Sequence, residues 1–135
     1  MEDDSRDALA ARLARYDTLV EVGIGRNPDI AAALAAAGKS VIATDIDEVG
    51  VPDGVRFVRD DIVARSERAD PGSLYCVDAI YALNLPGELQ RPARDVARAV
   101  GAEFVFTTLG YEEPTIPVRR ESVGSDTLYT AVGRR

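Results

Sequence analysis

Histidine is absent from this 135-residue chain, and cysteine and lysine occur once each, as Cys76 and Lys39. Without imidazole there is no His-based triad, general base or metal ligand, which excludes many hydrolases. The lone thiol cannot close an internal disulfide, and with no CxxC pair or Cys/His cluster there is nothing to hold zinc, so no metal is expected. No segment approaches the run of roughly 20 apolar residues that crosses a membrane. The N-terminal MEDDSRDALAARLARY is charged throughout, unlike a secretion signal, so a cytoplasmic protein is expected. Repeats, linkers and low-complexity tracts are missing too, and residues 1–135 read as one domain.

Charge is plentiful but one-sided. Acids number 23 against 16 bases, for a net charge of -7, and every base except Lys39 is arginine. A surface of that kind suits a protein kept soluble in concentrated salt, since net charge is a solubility lever for halophiles. An ordinary acidic protein is the plainer alternative. Either surface repels phosphate backbones, so nucleic acid is a poor default partner. A local basic patch such as Arg119, Arg120, Arg134 and Arg135 is compatible with that balance.

Periodicity then orders the elements. Leu9, Leu13 and Tyr16 recur at helical spacing over residues 4–16. Thr18 to Val22 is a short strand; beyond the glycines, Asn27 suits a helix N-cap, Pro28 the first helical position and Asp29 the positive end of the dipole. The alanine-rich helix IAAALAAA stops at Gly38. Strands are expected at Ser40 to Ile46 and Val55 to Ile62, the latter entered through Pro52, Asp53 and Gly54. A polar, helix-poor stretch follows. SLYCVDAIYAL supplies a buried strand around Val77 to Leu83, NLPGEL its loop, residues 88–100 a helix with Pro92 near its start, and EFVFTTLG a fifth strand. PVRRES and TLYTAV flank VGSD as a closing hairpin. The reading is α/β: a doubly wound, mostly parallel, Rossmann-like sheet with helices on both faces and a C-terminal antiparallel hairpin.

In such a sheet the loops after successive strands share one rim, where ligands bind. Here that rim collects residues 23–27, 45–47, 60–62, 84–87 and 110–113. Gly23 and Gly25 permit backbone angles closed to other residues and let a ligand approach the main chain. Asp45 ends the next strand, 20 residues beyond Gly25, where a carboxylate can accept from vicinal ribose hydroxyls. A bare β-to-α turn is the competing explanation, and Asp45 tips the balance toward a ligand. AAAGKS is no phosphate loop, because it ends a helix and enters a strand, the reverse of the required order. Cys76, inside an apolar strand, reads as a small core residue, as do Tyr75 and Tyr81. Tyr111, in GYEEP, is the better contact residue. Asp60 and Asp61, adjacent in a strand, would face opposite ways, one toward the ligand and one toward solvent.

VEVGIGRN, VIATDID, FVRDDI, VDAIYAL and EFVFTTLG together resemble the successive motifs of class I S-adenosylmethionine-dependent methyltransferases, over about residues 18–110. The whole chain resembles archaeal uncharacterised protein family 0146. The resemblance implies that Glu21 ends the first strand, that Gly23 and Gly25 line the methionine part of the ligand, that Asp45 holds the ribose and that Asp61 accepts from the adenine amino group. Asn27, Ile46 and Ile62 complete that cofactor-binding set. Asn84 and Pro86 would lie at the mouth facing a methyl acceptor, beside Tyr111. The usual third glycine is Asn27 here, and NLPG lacks the paired prolines of enzymes that methylate amino nitrogens.

Zero histidine does not exclude methyl transfer, because a sulfonium is already reactive and positioning supplies much of the rate. Three readings stand: an S-adenosylmethionine-binding, minimal methyltransferase; a binder of NAD or another adenine nucleotide, which Asp45 serves equally well; and a non-catalytic domain serving a partner protein. A protein partner or a second copy of the chain, as a homodimer, would complete a site that short loops leave open.

Overall fold

The computed structural model of the chain describes residues 3–132. Seven strands form one sheet in the order β3-β2-β1-β4-β5-β7-β6. Of these, β1 (Thr18–Val22), β2 (Ser40–Asp45), β3 (Val55–Arg59), β4 (Ala79–Leu85) and β5 (Glu103–Thr108) run parallel. The last two, β6 (Val118–Val123) and β7 (Asp126–Ala131), form an antiparallel hairpin that joins the sheet through β7 against β5. No helix among the described residues is long and apolar enough to cross a membrane.

Alternation along β1 shows why both faces must be covered. Leu19 and Glu21 point to one side, Val20 and Val22 to the other, and all four are buried. The first side packs against α1 (Asp3–Leu13) and α2 (Asp29–Ala36) through Leu9, Leu13, Ile30 and Leu34. The second packs against α3 (Ile62–Ser66) and α4 (Gly87–Val100) through Ile62, Ala93, Val96 and Ala97. Phe104 and Phe106 stack on that second face with ring centroids 4.9 Å apart. Helix α2 ends where Gly38 takes a left-handed φ of 85°, with Gly38 N–H donating to Ala35 O and Lys39 N–H to Leu34 O.

Helix α1 is tied to the hairpin. Gly124, at φ 62°, opens the two-residue hairpin turn. Ser125 N–H donates to Ser5 Oγ at 2.8 Å, the two serine hydroxyls are also in contact, and Arg12 Nε reaches Glu121 Oε1 at 3.1 Å.

Several local expectations are corrected. Strand β3 stops at Arg59, and Asp61 caps α3 through bonds from Val63 and Ala64 N–H, so Asp60 and Asp61 are not consecutive strand residues and Ile62 is helical. A capping carboxylate competes locally with strand extension, which apolar periodicity does not register. The cap of α2 is Pro28, with no side-chain bond, instead of Asn27. NLPGEL is not a loop: Asn84 and Leu85 belong to β4, Pro86 caps α4 and Gly87 begins it. Asn84 carries the positive φ of 53° that this abrupt exit requires, at a register irregularity between Ala82 and Leu85. Cys76 lies before β4 and is exposed, not in the core. Tyr75 and Tyr81 are fully buried.

Candidate functional site

The site begins with the turn out of β1. Gly23 and Gly25 take φ of 73° and 56°, conformations that cost a side-chain-bearing residue about 1–2 kcal/mol. Those angles fold the loop back onto β2: Gly23 and Ile24 N–H both donate to Thr44 O, at 2.9 and 3.0 Å. Thr44 Oγ1 returns a bond to Glu21 O at 2.9 Å. Gly25 N–H then donates to Asp45 Oδ2 at 2.9 Å, while Asp45 Oδ1 accepts from Asp47 N–H at 3.0 Å. The carboxylate that ends β2 therefore locks the glycine loop and its own loop into one unit. A carboxylate offers about four acceptor positions, so two remain for a ligand.

Between these loops lies a cleft of about 440 Å³ lined by Gly25, Arg26, Asp45, Asp47 and Glu48 together with Pro28, Val49 and Gly50. Three acids and one arginine give it a net negative character. Arg26, overlooked in the sequence reading although it stands inside the glycine loop, makes no side-chain bond among the described residues. Arg59 Nε holds Ile46 O at 2.8 Å, which leaves the Ile46 side chain exposed beside Asp45.

Glu21 does not reach the rim surface. Its side chain is 1% exposed, and Oε1 accepts from the Tyr81 hydroxyl at 2.7 Å, so burial pushes the carboxyl up to about 8. Tyr81, desolvated beside it, is raised well above its ordinary value. The pair supports the loop from beneath. Asp61 and Ile62 stand one loop further along the rim, with Asp61 exposed and Ile62 buried.

Asn84, Pro86 and Tyr111 do not line this cleft. Asn84 and Pro86 sit at the exit of β4, where Asn84 N–H donates to Thr107 Oγ1 at 2.7 Å. Tyr111 is fully exposed in the link between β5 and β6. Asp60 turns away from the cleft, since Arg65 Nη2 and the Tyr75 hydroxyl both donate to it at 2.7 Å. The Tyr75 phenol is accordingly raised, first by burial and then by that carboxylate. The basic patch divides: Arg120 pairs with Glu113 and lies over the Tyr129 ring, Arg119 lines a different cleft, and Arg134 and Arg135 fall outside the described residues.

This strand order, with the glycine loop after β1 and the hairpin at the sheet edge, is the fold of Rossmann-like methyltransferases. An RNA methyltransferase from Salinibacter ruber, solved in complex with S-adenosyl-L-homocysteine, matches 97% of this chain and 91% of its own at TM-score 0.62 and 21% identity. An O-methyltransferase family protein from Burkholderia thailandensis matches 93% of this chain and 54% of its own at TM-score 0.54 and 15% identity.

The chain belongs to the Uncharacterised protein family (UPF0146), whose model matches residues 5–132. A UPF0146 protein of the archaeon Halobacterium salinarum is 53% identical over 125 residues, covering 91% of this chain and 93% of the relative. One from Archaeoglobus fulgidus is 38% identical over 91 residues, 67% of each chain. The halophilic relative agrees with the acidic, lysine-poor composition.

Proposed function

We propose that the chain binds S-adenosylmethionine or its demethylated product on the rim formed by the loops after β1, β2 and β3. The observation that carries this reading is the Gly25–Asp45 bond, which presents open glycine backbone and a ribose-competent carboxylate as one rigid surface. A Cβ placed on Gly23 would meet nothing within 4 Å, so the space over the loop admits close approach. In this reading Gly23 and Gly25 take the methionine portion, with Asn27 closing the loop. Asp45 accepts from the ribose hydroxyls, exposed Ile46 lies against the adenine with Ile62 below, and Asp61 accepts from the adenine amino group. Glu21 acts from beneath, through the loop it supports.

The ligand's charge favours the same choice. A sulfonium and an ammonium suit a cleft with Asp45, Asp47 and Glu48, whereas a pyrophosphate faces those acids with only Arg26 lining the cleft to offset them. When bound, S-adenosylmethionine supplies an electrophilic methyl group; the acceptor side is formed by Asn84, Pro86 and Tyr111. Calorimetric titration with S-adenosylmethionine, S-adenosylhomocysteine, NAD and ATP side by side tests the proposal. Tightest binding of an adenosyl thioether or sulfonium is expected, and tighter binding of NAD would overturn it.

A further inference from the structure

The rim opposite the glycine loop carries a second cleft, of about 550 Å³, between the C-terminal half of α4 and the strand ends of β5, β7 and β6. Three arginines line it: Arg94, Arg98 and Arg119. In a chain of net charge -7 such convergence runs against the prevailing sign. Arg94 and Arg98 are one helical turn apart and share a face of α4. Arg119 comes from β6, opposite Thr130 in register.

Helix polarity accounts for only part of this. Arg98, in the last turn of α4, complements the helix C-terminus, and its Nη2 donates to Val132 O. Arg119 is on a strand. Arg94 has a side chain 11% exposed, yet it spends Nε and Nη2 on a single oxygen of Asp95, whose own side chain is 47% exposed. That leaves Arg94 Nη1 with no partner among the described residues, and Arg119 likewise makes no side-chain bond among them. A guanidinium has five donors in a fork that matches phosphate oxygens, so Arg94 Nη1 and the exposed Arg119 offer unspent donors to an anion entering the cleft. Glu103, the acid in the lining, is engaged at Oε1 by the Tyr16 hydroxyl at 2.7 Å.

We propose that this cleft is a binding site for a small soluble phosphate-bearing anion, held by Arg94 and Arg119 with Arg98 at its edge. Its volume admits a ligand up to nucleotide size. The site lies at the far end of the sheet from Asp45, so it fills independently of the glycine-loop cleft.

The test is a titration of the isotope-labelled chain with inorganic pyrophosphate, followed by amide chemical shifts and calorimetry, on the natural sequence, Arg119→Gln and the pair Arg94→Gln with Arg119→Gln. Shifts are expected to cluster at Ala97, Gly101, Ala131 and Val132. The paired variant should bind about tenfold or more weakly, as the loss of charge-assisted bonds implies. Thermal unfolding verifies that each variant is folded, and exposed Arg119 gives a single variant that does not disturb packing. Absence of binding, shifts scattered over the surface or centred on Gly25, or unchanged affinity in both variants would each overturn the proposal. None of these outcomes depends on whether an adenosyl ligand binds the other rim.

Discussion

The Tyr81 hydroxyl donates to Glu21 Oε1 at 2.7 Å between residues that face each other in register on β4 and β1, sealed beneath the glycine loop. Both groups have left water, and one hydrogen bond does not restore what an ionised carboxylate loses on burial.

Stability should therefore fall as pH rises through the neutral range. Burial raises the Glu21 carboxyl from 4.5 to about 8, so between those values the folded chain holds a proton that the unfolded chain releases. The contribution is complete below about 4.5 and lost by the time pH passes about 8. Glu21→Gln keeps an acceptor for Tyr81 and cannot ionise, so its melting curve should lack that decline, a difference on the order of 2–4 kcal/mol at the alkaline end. Parallel stability profiles for the two proteins would show that water reaches the carboxyl.

Gly124→Ala should destabilise more than Gly101→Ala. Both glycines have positive φ, 62° and 77°, but a Cβ on Gly124 would come within 2.8 Å of Ser5 Cα, whereas one on Gly101 meets nothing within 4 Å. Denaturant unfolding is expected to show a loss of about 1 kcal/mol at Gly101 and at least about twice that at Gly124. Equal losses would mean that α1 yields without cost.

Asp45→Ala should weaken any adenosyl ligand more than Asp47→Ala. Asp45 holds the Gly25 and Asp47 amides and points its remaining acceptors at the cleft, so its removal loses ligand bonds and loosens the loop; Asp47 serves the loop mainly through its backbone. The expected cost at Asp45 is about 1.5–3 kcal/mol of binding free energy. Calorimetry on both variants decides it, and matching losses would remove Asp45 from the ribose role.

The isolated chain should bind its ligand without efficient turnover. Tyr111 and Leu109 stand exposed after β5, and Asn84 is exposed at the β4 exit. Methyl transfer needs the acceptor held in line and water excluded, which an open rim does poorly. Incubation with labelled S-adenosylmethionine, alone and with extract of the source organism, should transfer label only when a partner protein or second subunit is supplied. Multiple turnover on a small molecule by the chain alone would refute this.

Sequence patterning foretold each strand of the sheet, because two-residue alternation and continuous apolar runs are local signals of burial. The position of Asp45 followed the same logic, since a strand exit next to a glycine turn is visible in the chain itself. Asp61 and Cys76 were misplaced for a shared reason. Each lies just outside a strand that the local pattern extends too far, Asp61 beyond the end of β3 under its own capping bonds and Cys76 before the start of β4 in the segment anchored by the Tyr75–Asp60 bond.

Sequence by itself determined the class of fold, the order of its elements and the strand-end position of Asp45, because each rests on interactions between near neighbours along the chain. Only the tertiary structure decided that Glu21 is buried against Tyr81, that Gly25 is clamped by Asp45, and that Arg94 and Arg119 line one cleft at the far rim. These pairs are 60, 20 and 25 positions apart in sequence. Their environments depend on which strands become neighbours, and that order is set by the burial of both sheet faces at once, a property no single segment carries.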